Sequence, residues 1–318
     1  MESISIPKVV LNSGHKMPTL GFGTGTVPLP SFEELIPSFI NAIKIGYRHF
    51  DTAAYYGSEE PLGHAIAQAL EQGLIKDRSE IFVTTKLWCT DAHPGFVVPA
   101  LKNSLKRLGL EYVDLYLIHF PARLRQGVQG ITYKKGDVLP FDMKGTWEDM
   151  EKCAKLGLAK SIGLSNFGVN KISEILQYAT IPPALNQVEM NAAWKQENLR
   201  KICKENGIHV SAWSPLGANG AVWGSLAVMD SPILKDIAIS SGKTVAQVAL
   251  RWLIEQGVTP IVRSFNNERM KANLEIFNWK LSEVDLKKIE QIPQYRAFKG
   301  EGFITEDGPY KTTDDFWN

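Results

Sequence analysis

Four side chains in this sequence have the types and placement for proton and hydride chemistry together: Asp51, Tyr56, Lys86 and His119. Asp51 ends the short stretch Arg48-His49-Phe50-Asp51, and Lys86 ends the β-branched run Ile81 to Lys86. His119 follows the apolar run Tyr112 to Ile118, and Tyr56 lies in the loop after Asp51. A buried Lys beside an Asp keeps its charge, and a cation beside a phenol favours the phenolate. The Tyr56 hydroxyl, about 10 when unperturbed, is therefore expected to be drawn down toward working pH. It can then give a proton to a carbonyl oxygen as hydride arrives at the carbon. His119 would hydrogen-bond and orient the same oxygen. Taken singly, each residue has a plainer reading: His119 and Lys86 as structural side chains, Asp51 as a turn or cap residue, Tyr56 as nothing in particular. The joint placement at strand ends carries the reading.

Strands must therefore deliver these residues to one rim. Strand and helix signals alternate along nearly the whole chain. A first strand near Leu20-Gly21-Phe22-Gly23 is followed by Arg48–Asp51, Ile81–Lys86, Tyr112–Ile118, Ala159–Leu164, Ala184–Met190, Ile208–Ala212 and Val258–Val262. Helical spacing runs from Ser58 to Gly73 and recurs after Pro94. Further helices hold Trp147 and Met150, then Ile172 and Ile175, then Leu199 and Cys203, and one is capped by Thr244. Eight short apolar strands separated by helices predict a parallel sheet covered on its outer side and closed into an α/β (β/α)8 TIM barrel. Lys8 to Asn12 and Lys16 to Pro18 flank Ser13-Gly14, which predicts an N-terminal β-hairpin plugging the barrel bottom. Ser31 to Glu34 resembles a capping box, but Pro37 requires that helix to start late, around Glu34, or to kink. Phe120–Lys144, Pro215–Asp230 and Gln294–Asn318 do not fit the alternating barrel pattern. They are expected to be long loops at the C-terminal face, where a barrel builds its substrate pocket. No linker divides residues 1–318, which read as a single domain.

Composition excludes several other classes. With 35 Lys and Arg against 34 Asp and Glu, there is no basic surplus for nucleic acid or an anionic membrane. Cys89, Cys153 and Cys203 are odd in number and far apart, so neither a disulfide framework nor a zinc ribbon is expected. The six His residues lack ligand spacing, and no metal is expected. Met1 to Pro7 has neither a basic nor an apolar leader segment, so a cytosolic protein is expected. Gly21-Phe22-Gly23-Thr24-Gly25 is glycine-rich but is not GxGxxG, and the acidic ribose anchor of a Rossmann unit is missing.

The stretch Gly46 to Glu59, which reads GYRHFDTAAYYGSE, resembles the aldo-keto reductase signature. Thr85-Lys86-Leu87-Trp88 and Leu115-Tyr116-Leu117-Ile118-His119 resemble the next two motifs of that superfamily, and the resemblance spans essentially the whole chain. It implies a catalytic tetrad of Asp51, Tyr56, Lys86 and His119, NADPH/NADP+ as cofactor, a small-molecule carbonyl substrate and a monomer. It further implies that Ser165, Asn166 and Gln187 hold the nicotinamide carboxamide and that Trp213 stacks on its ring. Thr24, Asp51, Ser214, Leu216 and Asn273 are implied as further cofactor contacts.

The cofactor's phosphate end is expected at Arg263, Ser264, Phe265, Asn266 and Arg269, after the last strand and at a helix N-terminus. Backbone N–H groups, the helix dipole and two guanidinium forks meet there. Family members commonly carry Lys where Arg263 stands and Glu where Ala272 stands; loss of the Glu is expected to remove a clasp on the adenine and speed cofactor exchange. The place of a Trp common in animal members falls to Gly25 or Thr26, and Phe120 stands for the Trp that usually follows the catalytic His. Both changes shrink the aromatic wall, so a pocket lined by Gly25, Thr26, Tyr55, Trp88, Phe120 and Trp223, with Phe316 and Trp317 adding apolar contacts, is expected to admit bulky ketones.

Segments such as Ser214 to Gly220, Val262 to Asn266 and Phe277 to Leu281 resemble the plant specialised-metabolism branch, including codeinone, methylecgonone and chalcone reductases. That implies reduction of an alkaloid or polyketide ketone. The alternatives are a sugar-acid or deoxymugineate-type reductase, a cofactor-binding redox sensor with little turnover, and a barrel isomerase whose last-strand anion site grips its substrate.

Overall fold

The structure, a computed structural model, describes residues 6–130 and 132–318. Most of the leader reading on Met1 to Pro7 lies outside them. Strands β1 (Lys8–Val10) and β2 (Lys16–Pro18) form an antiparallel hairpin. Leu11 and Met17 of this hairpin pack against Phe82, Leu115 and Leu185, near the start of their strands. The hairpin therefore closes the N-terminal end of the sheet, as expected.

The sheet follows as β3 (Gly21–Gly23), α1 (Phe32–Ile45), β4 (His49–Asp51), α2 (Glu59–Glu71), β5 (Phe82–Leu87), α3 (Val97–Leu108) and β6 (Val113–Ile118). A two-residue hairpin, β7 (Arg123–Leu124) with β8 (Val138–Leu139), interrupts it. The alternation resumes with α4 (Met143–Lys155), β9 (Ala159–Ser165), α5 (Val169–Tyr178), β10 (Leu185–Glu189), α6 (Glu197–Glu205) and β11 (His209–Trp213). Two helices, α7 (Pro232–Ser241) and α8 (Val245–Glu255), precede β12 (Thr259–Val262). Then come α9 (Asn267–Leu274), α10 (Glu283–Glu290) and the short α11 (Thr313–Trp317).

Eight of these strands close a parallel barrel in chain order, β3-β4-β5-β6-β9-β10-β11-β12 and back to β3. Every residue of β5 and β6 is buried, which is what a parallel sheet covered by helices requires of its strands. Among the described residues no helix is long and apolar enough to cross a membrane. All three cysteines are free and buried.

Of the two readings of the first helix, the late start is excluded: it begins at Phe32, and Pro37 lies inside it. The Glu34 carboxylate accepts the Ser31 N–H at 3.0 Å, so the start is capped. Pro37 removes one helical N–H, a cost of about 3 kcal/mol. Leu35, Phe39, Ile40 and Ile43 are buried on the same helix, each contributing about 1.5–3 kcal/mol. Burial outweighs the proline. The three excursions fall where expected, but the β7–β8 hairpin inside the first, and α7, α10 and α11, were not anticipated.

Candidate active site

Asp51 ends β4, Lys86 lies one residue before the end of β5, and His119 follows β6 directly. Tyr56 comes from a single 3-10 turn, Ala54–Tyr56. Adjacent parallel strands thus bring all four to one rim. Lys86 Nζ donates to Asp51 Oδ1 at 2.6 Å and to the Thr52 carbonyl at 2.9 Å. It lies 4.9 Å from the centre of the Tyr56 ring. The Tyr56 hydroxyl and His119 Nε2 are 3.3 Å apart, and Gln187 Nε2 donates to Asp51 Oδ2 at 2.8 Å.

Burial presses the Lys86 ammonium toward neutrality, but Asp51 and Tyr56 more than compensate, and its pKa is raised. His119 is held well below the ordinary histidine range by burial and by the Lys86 charge, so its ring is neutral. Tyr56 corrects an expectation. Burial raises its pKa, and the opposing pull of Lys86 does not overcome that. Without a ligand the group is a protonated phenol beside a fixed cation: an acid with its proton in place and a partner ready for the charge left behind.

A ring of hydroxyls braces the tetrad from behind. The Thr24 hydroxyl bonds the Asp51 carbonyl at 3.0 Å and the Ser58 hydroxyl at 2.7 Å, and Ser58 meets the Thr52 hydroxyl at 2.9 Å. Thr85 donates to Glu59 Oε1 at 2.6 Å, and Arg107 pairs with Glu59 Oε2 at 2.6 Å. The sequence reading placed Thr24 on the cofactor. Its buried hydroxyl is instead committed to holding Asp51. Ser58, Thr85 and Arg107 had no assigned role, although Ser58 and Glu59 lie in the signature stretch.

The residues expected around the nicotinamide converge on the same rim. Asn166 Nδ2 donates to the His119 carbonyl at 2.9 Å, and Trp213 Nε1 donates to Asn166 Oδ1 at 2.9 Å. Asn166 and Ser214 are non-glycine residues at φ +67° and +50°, strained conformations of the kind that collect at functional sites. Ser165 and Gln187 are buried beside them, and Leu216 is half-buried. At the far end, α9 starts behind Asn266, whose side chain accepts the Arg269 N–H at 2.9 Å. Arg263 and Arg269 are exposed, Ser264 is buried and Phe265 is half-buried. Arg263 also donates to the Thr26 hydroxyl, linking the loops after β12 and β3. Asn273 is buried on α9, one turn beyond Arg269. An open indole at one end and two exposed guanidinium groups at a helix N-terminus fit a dinucleotide with a phosphate-bearing ribose.

On the substrate side, Tyr55 stacks on Trp88 at 3.9 Å and 20°, and Phe120 stacks on His119 at 5.1 Å and 12°. Phe316 is fully buried and packs behind Phe120 with Phe303, so it supports the wall. Trp317 is also buried, its indole N–H held by the Lys299 carbonyl at 2.9 Å. Both were expected to offer apolar contacts to the substrate; their rings are spent on packing. Trp223 is half-buried against Phe298 at 6.3 Å, and Phe298 reaches Trp213 at 5.8 Å. Gly25 lies against the Tyr56 ring: a Cβ there would sit 3.0 Å from Tyr56 Cε2.

A sequence profile of the Aldo/keto reductase family matches residues 19–294. The chain is 55% identical to Rhazimal reductase 2 of Alstonia scholaris over 318 residues, covering 100% of this chain and 98% of that one. It is 51% identical to NADPH-dependent codeinone reductase 1-4 of Papaver somniferum, covering 100% and 99%. Among solved structures, the Bombyx mori aldo-keto reductase in complex with NADP superposes with a TM-score of 0.84 at 37% identity, covering 93% of this chain and 95% of that one.

Proposed function

The chain belongs to the aldo/keto reductase family, and from that premise we propose that it reduces the ketone of a bulky specialised metabolite, an alkaloid or polyketide, with NADPH. The observation that carries this reading is the protonated Tyr56 phenol, 3.3 Å from a neutral His119 and beside the buried Lys86 cation. The nicotinamide supplies hydride when bound. The protein supplies the rest. Tyr56 and His119 Nε2 hold the carbonyl oxygen between them, and Tyr56 passes its proton to that oxygen as negative charge develops there. Lys86 stabilises the phenolate left behind, and Asp51 keeps Lys86 charged and aimed.

Three features support a bulky substrate. Gly25 puts no side chain against the Tyr56 ring, where even a Cβ would come within 3.0 Å of it, the Tyr55–Trp88 stack offers a flat plate, and Phe120 narrows the wall less than an indole. The relatives named for reduction of rhazimal and codeinone point the same way. Arg263 and Arg269 support preference for the 2′-phosphate of NADPH. We also propose that the protein works as a cytosolic monomer, which sedimentation and a fluorescent fusion would check.

The test is loss of NADPH absorbance across small aldehydes, sugars, chalcone-type polyketides and alkaloid ketones. Turnover strongest with one bulky ketone class supports the proposal. Turnover confined to small aldehydes or sugar acids overturns the substrate class, and NADPH binding with no turnover of any carbonyl overturns the reductase reading in favour of a sensor.

A further inference from the structure

Behind the tetrad, the hydroxyls of Thr24, Ser58 and Thr52 are fully buried and touch in series, Thr24 to Ser58 at 2.7 Å and Ser58 to Thr52 at 2.9 Å. Counting protons fixes the direction of each bond. A hydroxyl has one proton to donate, and a carbonyl only accepts. Thr24 therefore donates to the Asp51 carbonyl, 3.0 Å away. With that proton committed, Thr24 accepts from Ser58, and Ser58 in turn accepts from Thr52. The chain runs one way, from Thr52 through Ser58 and Thr24 to the Asp51 carbonyl. We propose that this one-way chain, with Ser58 as its link, is a positioning device for proton transfer: it fixes the Asp51–Thr52 backbone and so aims the Lys86 ammonium at Tyr56.

The first support is what Ser58 gives up. It stands at the residue before α2, where a serine ordinarily accepts a backbone N–H of the first turn. Its side chain makes no such bond. The hydroxyl is withdrawn from the helix start and committed to Thr24 and Thr52 instead.

The second is what the fixed backbone holds. The Lys86 ammonium has three N–H bonds. One goes to Asp51 Oδ1 at 2.6 Å and one to the Thr52 carbonyl at 2.9 Å, so both acceptors belong to the pair of residues that the chain ties down. The third is left for Tyr56, whose ring centre lies 4.9 Å from Nζ. A shift of either acceptor swings that third N–H, and with it the charge that stabilises the phenolate as Tyr56 releases its proton. Strand pairing does not depend on the hydroxyls. The Thr24 N–H also donates to the Asp51 carbonyl at 3.0 Å, and the Thr52 N–H donates to the Thr84 carbonyl at 2.8 Å. Those backbone bonds survive a side-chain change, so aim and fold can be separated by experiment.

The inference rests on the reductase reading but not on which carbonyl is reduced. The test uses the full chain with NADPH and any carbonyl that the parent turns over, beside thermal unfolding of the same variants. Thr24→Val and Ser58→Ala each leave one buried hydroxyl proton without an acceptor, so each should lower Tm by about 2–4 °C. Thr52→Val removes only the first donor and leaves no proton unpaired; it should melt within about 1 °C of the parent. All three cut the tether, so kcat should fall by about three- to tenfold in each, with KM nearly unchanged. Thr52→Ser keeps the hydroxyl and should recover kcat. A loss of kcat in Thr52→Val without a loss of Tm is the result that a merely structural role would not give. Parental kcat in Thr52→Val, or no recovery in Thr52→Ser, overturns the positioning role. A Thr52→Val variant that melts as low as Thr24→Val overturns the direction of the chain. A parent that turns over no carbonyl ends the reductase reading and the positioning role together, whereas an active parent with an indifferent Thr52→Val ends only the second.

Discussion

Replacing Lys86 by Met should destabilise the protein through the carboxylate it leaves behind. Lys86 is fully buried and its pair with Asp51 closes at 2.6 Å, with Asp51 also buried. Removing one partner of such a pair costs about 3–5 kcal/mol, because the remaining charge is uncompensated in a medium that cannot solvate it. The lower end applies here, since Gln187 still donates to Asp51 Oδ2 at 2.8 Å. For a chain of this length, unfolding entropy is about 0.7 kcal/mol per kelvin, so Tm should fall by about 4–8 °C. The assay is thermal unfolding by circular dichroism at neutral pH without cofactor. The double variant Lys86→Met with Asp51→Asn should regain most of the loss, because no buried charge remains, yet both variants should lack turnover. A single variant melting within about 1 °C of the parent would refute the reasoning, as would a double variant no more stable than the single one.

Tyr56→Phe should reduce turnover by about 10²–10⁴-fold and leave NADPH affinity nearly unchanged; retained turnover would remove Tyr56 as proton donor. Arg269→Ala should weaken NADPH by about tenfold or more while barely affecting NADH, and equal losses would mean that Arg269 does not read the 2′-phosphate. Gly25→Trp should penalise bulky ketones more than small aldehydes, and its contact with the Tyr56 ring should lower kcat for both; unchanged selectivity would place Gly25 outside the pocket. His49 and His209 are each pushed down by burial from 6.5 to about 4. They stay neutral in the folded chain where the unfolded chain takes up protons, so their stabilisation is present above about 6.5 and lost as pH falls toward about 4. Urea midpoints should drop across that window, and His209→Asn should flatten the slope; an unaltered slope would contradict the assignment.

The barrel was legible because its strands repeat one signal: short, apolar and separated by helical spacing. Asp51, Lys86 and His119 were legible because each terminates such a run. Helix α7 was missed despite its start signal, Ser231 before Pro232, and its apolar Ile233, Leu234, Ile237 and Ile239, because it follows a long irregular loop. Helix α10 buries only Ile289, too little for a periodic pattern. The start of α1 was ambiguous because Pro37 weighs heavily in sequence and lightly in a helix with four large buried side chains. The Tyr56 shift was misjudged for a related reason: sequence names the neighbouring cation but not the depth of burial, and burial is the larger effect. The pairing of Thr24 with Ser58 and Asp51 depends on register between β3 and β4, which no local pattern reveals.

The apolar wall around Phe120 has a consequence for how such a protein can change over time. Phe303, Tyr310, Phe316 and Trp317 form a packed cluster with Trp88, separate from the large core that holds the barrel and its helices. Mutations in that cluster alter the shape offered to a substrate without disturbing the strands that fix Asp51, Lys86 and His119. Selection can therefore act on substrate range and on reaction chemistry almost independently, and a duplicated copy can acquire a new carbonyl substrate while inheriting Asp51, Lys86 and His119 in place.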